Sequence, residues 1–191
     1  MTPDEPERPE PAAPSQAREV LLRDGARVLV RQMRPEDEHL LADGFSRLSA
    51  DSRRLRFLAA KPALSPSEVR YFASVDGTNH DAVGAIDGAT GCGVGIARFV
   101  RLAPGSSTAD VAVTVVDEWQ RRGLGSILMD ELIVRALRAG VETFVAEVAA
   151  ENTGAHDFLL KAAPSRRKRL QAAVVDMELD LTRARAVRAA A

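Results

Sequence analysis

Between residues 19 and 181 the apolar side chains fall into short runs of two rhythms, one of period two and one near 3.6. "ARVLVRQM" alternates and predicts a first strand. "RPEDEHLLADGFSRLS" follows as a helix, with Pro35 in its first turn and acids at 36 to 38 near the positive end of its dipole. Ser65, Pro66 and Glu68 form a capping-box pattern at the head of "SPSEVRYFASV", predicting a second helix. "HDAVGAID" and "GVGIARFVRL" read as two strands joined through "GATGCG", and "TADVAVTVV" as the next strand. In "GLGSILMDELIVRALRAG" apolar residues at 124, 127, 128, 132, 133, 136 and 137 hold helical period, and Gly140 suits the C-terminal cap. A strand "ETFVAEVAA", a helix "NTGAHDFLLKAA" and a strand "AVVDMELDL" complete the order. Hairpins early and strand–helix–strand units late predict a mixed α/β (α+β) sheet fold.

Composition sets limits on this picture. The chain has 191 residues, 46% hydrophobic and 28% charged, enough for one domain over 19–181 with a core that needs neither disulfide nor structural metal. Residues 1–18 are rich in Pro and Glu and poor in large apolar side chains, so a disordered tail is expected there. Residues 182–191 read as a frayed basic tail. A net charge of -1 argues against a general nucleic-acid binder, and the run "SRRKRL" at 165–170 reads as a solvated loop. The single cysteine, Cys92, excludes an intrachain disulfide and a cysteine-rich zinc site. It lies in a turn with no base beside it and reads as small filler. His39, His80 and His156 lack helical ligand spacing, so no metal is expected. No apolar run is long enough to cross a membrane, and "MTPDEPERPEPAAPSQ" lacks the basic start and apolar core of a signal peptide. The expectation is a cytoplasmic protein without membrane contact.

One junction carries chemistry. After the strand ending in Val115 come Gln120, Arg121, Arg122, Gly123, Leu124, Gly125 and Ser126, leading into the long helix. A helix N-terminus exposes unpaired N–H groups and roughly half a positive charge. Gly123 and Gly125 remove side chains that would hold a phosphate off the backbone, Ser126 offers a hydroxyl, and the arginines add charge. A Walker loop is excluded, since no lysine followed by Ser or Thr is present, and Leu128 stands where a Rossmann fingerprint wants Gly or Ala.

The order Gln-x-x-Gly-x-Gly after "VTVVDEW" resembles the acyl-CoA-binding motif of the GNAT N-acetyltransferase superfamily. "AENTGAHDFLLKA" resembles that family's later segment, with Asn152 and Ala155 in place. "VRQMRPEDEHLLADGFSRLSADSRRLRF" and "VRYFASVDGTNHDAVGAID" look like the acetyltransferase domain of bacterial Pat-type protein lysine acetyltransferases. The resemblance runs over about residues 20 to 181 and is strongest in 28–57 and 108–152. It implies a GNAT-like fold, a mostly antiparallel twisted sheet of about six or seven strands flanked by helices. It further implies acetyl-CoA as co-substrate, held by Val113, Thr114, Val115, Gln120, Arg121, Arg122, Gly123, Leu124, Gly125, Ser126 and Asn152. The acceptor it implies is an amine, first a protein lysine and then a small-molecule amine. A weakened acyl-CoA-binding regulator is the remaining alternative, and a homodimer is one assembly to expect. Trp119 is expected to pack under the loop.

A lysine amine has a pKa near 10.4, so about one in a few thousand is uncharged at pH 7 and a base is needed. The resemblance puts an acidic residue near the start of the strand before the loop, where Asp110 stands, as general base. Alternation sets Asp110, Ala112 and Thr114 on one strand face and Val111, Val113 and Val115 on the other. Glu147 on the neighbouring strand is the reserve base, and an N–H near Val115 would polarise the thioester carbonyl. The family often has a tyrosine acid where Leu159 sits, and a Gly-Phe pair at Ala163 and Pro164. Leu159 cannot donate a proton, so the thiolate would leave unassisted or take its proton from water.

Overall fold

The computed structural model describes residues 17–186. The expected tail at 1–18 lies outside the described residues except at its end. There Arg18–Leu21 forms a strand, β1. The remaining strands are β2 (Arg27–Gln32), β3 (His80–Asp87), β4 (Gly93–Arg101), β5 (Thr108–Val115), β6 (Thr143–Ala149), β7 (Ser165–Gln171) and β8 (Val174–Asp180). Five α-helices join them: α1 (Glu38–Ser46), α2 (Ala50–Phe57), α3 (Pro66–Ala73), α4 (Leu124–Arg138) and α5 (Thr153–Ala162). The sheet has 8 strands in the order β1-β2-β3-β4-β5-β6-β8-β7. Every neighbouring pair is antiparallel except β5 and β6, which run parallel.

The strand count exceeds the expected six or seven for a physical reason. "SRRKRL" is not a loop but the outer edge strand β7, whose residues pair with β8 from Ser165↔Leu179 to Gln171↔Val174. Its two faces are both charged and mostly exposed, so the period-two apolar signal of a half-buried strand is absent. Charged edges of this kind discourage sheet-to-sheet association. The predicted helix over 34–49 ends at Ser46, and a further helix, α2, which the pattern did not predict, follows it. A 3-10 turn at Pro35–Asp37 leads into α1, and Ser49 then caps α2 by accepting from the Ser52 N–H. The expected capping box at Ser65 and Glu68 heads α3.

The core is built by α4 against the middle strands. Leu124, Leu128, Met129, Leu132, Ile133 and Ala136 are buried, a stripe at helical spacing that packs onto Val94, Ala97, Phe99 and Phe144. Gly140, at φ +82°, follows the helix in the left-handed conformation. Asp81 and Arg135 add a buried ion pair of 2.7 Å. Asp81 also accepts from Gln32 Nε2 (2.9 Å) and the Ala82 N–H (2.8 Å), so its remaining lone pairs are engaged. On the opposite face α1 lies directly on the β4 backbone: a Cβ at Gly93 would stand 2.7 Å from the Leu40 carbonyl oxygen. The tail expected at 182–191 is docked as far as it is described, with Ala184 buried and Arg185 paired to Asp130 at 2.7 Å.

Candidate active site

The site begins where two strands part. β5 and β6 are paired only at Thr108↔Thr143, Ala109↔Phe144 and Asp110↔Val145, while β5 stays paired with β4 as far as Val115. In an antiparallel ladder successive residues turn their backbone groups to opposite sides. The Val116 N–H donates to the Val94 carbonyl and the Thr108 carbonyl accepts from Leu102 N–H, so even-numbered residues of β5 face β4. The backbone groups of Val111, Val113 and Val115 therefore face the gap. Thr114 is different, since its backbone faces β4 and only its side chain lines the cleft. The gap opens into a cleft of about 240 Å³ lined by Val113, Val115, Gln120, Glu147, Asn152 and Phe158, among others.

Gln120 closes the near wall by donating from Nε2 to the Val115 carbonyl (3.1 Å) and reaching Ser52 Oγ (3.4 Å). That leaves the Val115 N–H free and its carbonyl occupied. Arg121 (φ +60°) and Gly123 (φ +92°) then turn the chain sharply into α4. The N–H groups of Arg121, Arg122, Gly123, Leu124 and Gly125 have no backbone acceptor among the described residues. The Ser126 N–H is not in that set, because it donates to the Gly123 carbonyl at 3.1 Å, and only its hydroxyl remains for a ligand. The arginines also differ from expectation. Arg122 forms an ion pair with Asp24 and lies 4.4 Å over the Trp119 ring, so its charge is largely engaged. Trp119 does pack against the core beside this loop. Sequence reading missed Arg23, whose Nε would be 3.7 Å from a Cβ at Gly123. Only a folded loop brings it there.

Asn152 caps α5 by accepting from the Ala155 N–H (3.1 Å), which sets that helix along the cleft. Leu159 is buried in the cleft wall. The single tyrosine, Tyr71, stacks on His80 at 4.9 Å instead, near α3. Asp117 ties α2 to the loop, accepting from the Ser49 N–H (2.9 Å), Ser49 Oγ (2.9 Å) and Ser52 Oγ (2.7 Å). Burial pushes its carboxyl up, but these hydrogen bonds outweigh that and hold it below the ordinary value.

Asp110 sits at the fork of the two strands, and Glu147 is two residues beyond its partner Val145, on the same face. Asp110 keeps a solvent-facing edge. Burial of the carboxyl nevertheless pushes its pKa above the ordinary carboxylate value; Arg56 and Arg98 pull it down and Glu147 pushes it further up. Neither arginine was singled out by sequence reading. Arg98 is recognisable only as a charge inside the apolar run "GIARFV", and Arg56 lies in a helix with no apolar stripe to orient it. Cys92 is a free, half-buried thiol in the β3–β4 turn. No cluster of three or more potential metal ligands occurs among the described residues, and none of their helices is long and apolar enough to cross a membrane.

Comparison with known proteins agrees with this geometry. The profile of the acetyltransferase (GNAT) family matches residues 49–163. Acetyltransferase Pat of Mycolicibacterium smegmatis is 36% identical over 134 residues, covering 70% of this chain and 40% of that protein. Acetyltransferase PA5475 of Pseudomonas aeruginosa is 31% identical over 139 residues, 72% of this chain and 74% of that one. The crystal structure of the GNAT domain of S. lividans PAT superposes with a TM-score of 0.78 at 28% identity, covering 86% of this chain and 96% of that domain. The chain thus spans about two-fifths of Pat but nearly all of an isolated GNAT domain.

Proposed function

The chain belongs to the GNAT acetyltransferase family, and from that premise we propose that it moves an acetyl group from acetyl-CoA to a primary amine, with Asp110 as general base. The observation that carries the reading is the parted β5–β6 gap beside a loop with five unaccepted N–H groups. Such a loop at a helix N-terminus suits a diphosphate, and the gap-facing backbone groups of Val111 and Val113 suit an extended amide-bearing arm. Acetyl-CoA would supply the acetyl group as an activated thioester. Arg121 to Gly125 would hold the diphosphate, Asn152 and Phe158 would flank the arm, and the Val115 N–H would polarise the thioester carbonyl.

Asp110 would accept the amine proton, directly or through one water, as the amine nitrogen bonds the acetyl carbon and the carbon–sulfur bond breaks. Its raised pKa brings it closer to the operating pH, which strengthens it as a base. Leu159 leaves the thiolate to take its proton from water. The resemblance to Pat-type enzymes supports a protein lysine as acceptor. A small amine is the second reading, favoured by a narrow apolar cleft that meets the acyl cleft at Arg56 and Thr114.

Thiol release from acetyl-CoA across lysine peptides and small amines tests the proposal. Calorimetry with coenzyme A tests its binding half separately. Tight binding with no turnover across the panel would favour an acyl-CoA-sensing regulator, and absence of binding would remove the reading altogether.

A further inference from the structure

The second cleft, about 80 Å³, lies between the α1–α3 helices and the face of β3, β4 and β5. Its wall is apolar, with Phe45, Phe57, Phe72 and Ile96, and two guanidinium groups, Arg56 and Arg98, enter it. The Arg98 guanidinium stacks 4.3 Å from the Phe72 ring and 5.6 Å from Tyr71. Its Nε and one terminal nitrogen are shielded from solvent and have no hydrogen-bond partner. Buried charged donors without acceptors are destabilising, so such groups are rarely left bare in a native fold. Arg56, half-buried beside Arg98, lies 4.9 Å over the Phe57 ring. Burial first, and then the charge of Arg98, depress it to about 10. Neither arginine has a carboxylate within ion-pair distance among the described residues. Asp110 influences both from further away.

Two like charges converging on an apolar cleft favour an anion between them. They also disfavour, inside the cleft, an acceptor that carries only positive charge; Asp110 itself does not line the cleft but stands on the same sheet face, two residues from Ala112, the partner of Arg98. We infer that this cleft receives an amine acceptor that carries its own carboxylate and an apolar side chain, the chemistry of an apolar α-amino acid. The carboxylate lies on Arg98 and Arg56, the side chain enters the phenylalanine-lined wall, and the amine reaches Asp110. The register supports the spacing. Arg98 pairs with Ala112 and Val100 with Asp110, so Arg98 and Asp110 are diagonal neighbours on one face, about 7–8 Å apart at the backbone. Side chains of that reach can grip an amine and a carboxylate separated by one carbon. A guanidinium fork matches a carboxylate in two parallel hydrogen bonds.

The inference rests on the acetyl-transfer reading and deepens its acceptor. The test is thiol release from acetyl-CoA with leucine, methionine and phenylalanine, against isoamylamine, phenethylamine, phenylalanine amide and a lysine peptide. Amino acids should exceed their carboxylate-free partners in kcat/KM by roughly 30-fold, the size of one charge-assisted hydrogen-bond pair. In Arg98→Met that ratio should shrink below about 5, mainly through KM, while Arg98→Lys should retain part of it because the charge stays and the fork is lost.

Equal or better use of the plain amines or the lysine peptide overturns the inference, as does a ratio untouched by Arg98→Met. Preference for succinyl-CoA with a plain amine also overturns it, since the anion would then belong to the acyl chain. Binding gives a readout that needs no turnover: coenzyme A-loaded protein should bind N-acetylphenylalanine, and not N-acetylphenethylamine, in an Arg98-dependent way. Equal binding of the two, or binding of neither, refutes the anion subsite. Failure to bind coenzyme A at all sinks the acetyl-transfer reading instead.

Discussion

Asp110→Asn is the most informative single change, because its effects on chemistry and on folding separate cleanly. The substitution is nearly isosteric and sits on an exposed strand position. The influences on the carboxyl are burial and neighbouring charges, with no hydrogen bond among them, so Asn breaks no hydrogen bond of the fold. Stability should therefore stay within about 0.5 kcal/mol of the parent. The loop proposed to hold the diphosphate begins eleven residues further along, at Arg121, and the amides facing the gap belong to the backbone, so coenzyme A affinity should not fall. Turnover should. A positioned base is worth about 10²- to 10⁴-fold, or 2.7 to 5.5 kcal/mol of barrier. Glu147, on the same face one strand away, can take over part of the proton transfer, which places the expected loss near the lower end of that range. Steady-state thiol release at saturating acetyl-CoA reads the loss, calorimetry reads the affinity, and a thermal melt guards against unfolding. An unchanged kcat in Asp110→Asn would refute the assignment. A loss that tracks affinity or melting temperature would refute it as well, since the residue would then be structural.

Four further substitutions probe the rest of the site and the core. The rate should fall as pH drops through the raised Asp110 pKa, because the base works only when deprotonated. Glu147→Gln removes a charge that pushes this pKa up and should move the acid limb to lower pH, whereas Arg98→Met should move it higher; opposite shifts in kcat/KM profiles would contradict the electrostatics. In Gly125→Ala the new Cβ meets Phe158 at 3.5 Å and Val115 at 3.8 Å, ordinary contacts, so the melt should hold while coenzyme A binding weakens by about tenfold, 1.4 kcal/mol in calorimetry. Arg135→Met strands Asp81 in the core and should cost about 3–5 kcal/mol. For a domain of this size that lowers the melting temperature by about 6 to 20 °C in calorimetric scans.

Local physics made parts of this fold legible in advance. The Ser65–Glu68 box, the α4 stripe and the alternation around Asp110 are each set by neighbours a few residues away, and each stands as expected. What stayed hidden depends on distant partners. β7 carries charge on both faces because it is an outer edge, which no period can reveal. Arg122 looked free to meet a phosphate until Asp24, 98 residues earlier in the chain, arrived beside it. Arg56 and Arg98 gain meaning only when α2 and β4 fold against the same cleft.

The parting of β5 from β6 has a thermodynamic side. Beyond Asp110 one edge of a central strand has no strand partner among the described residues, so the sheet is complete only when something else lies in the seam. A molecule that supplies those missing contacts is a piece of the architecture as well as a reagent. At a hundred times its dissociation constant it would add about 2.7 kcal/mol to folding stability. If acetyl-CoA is that molecule, as proposed, resistance to unfolding and to proteolysis would rise and fall with its concentration.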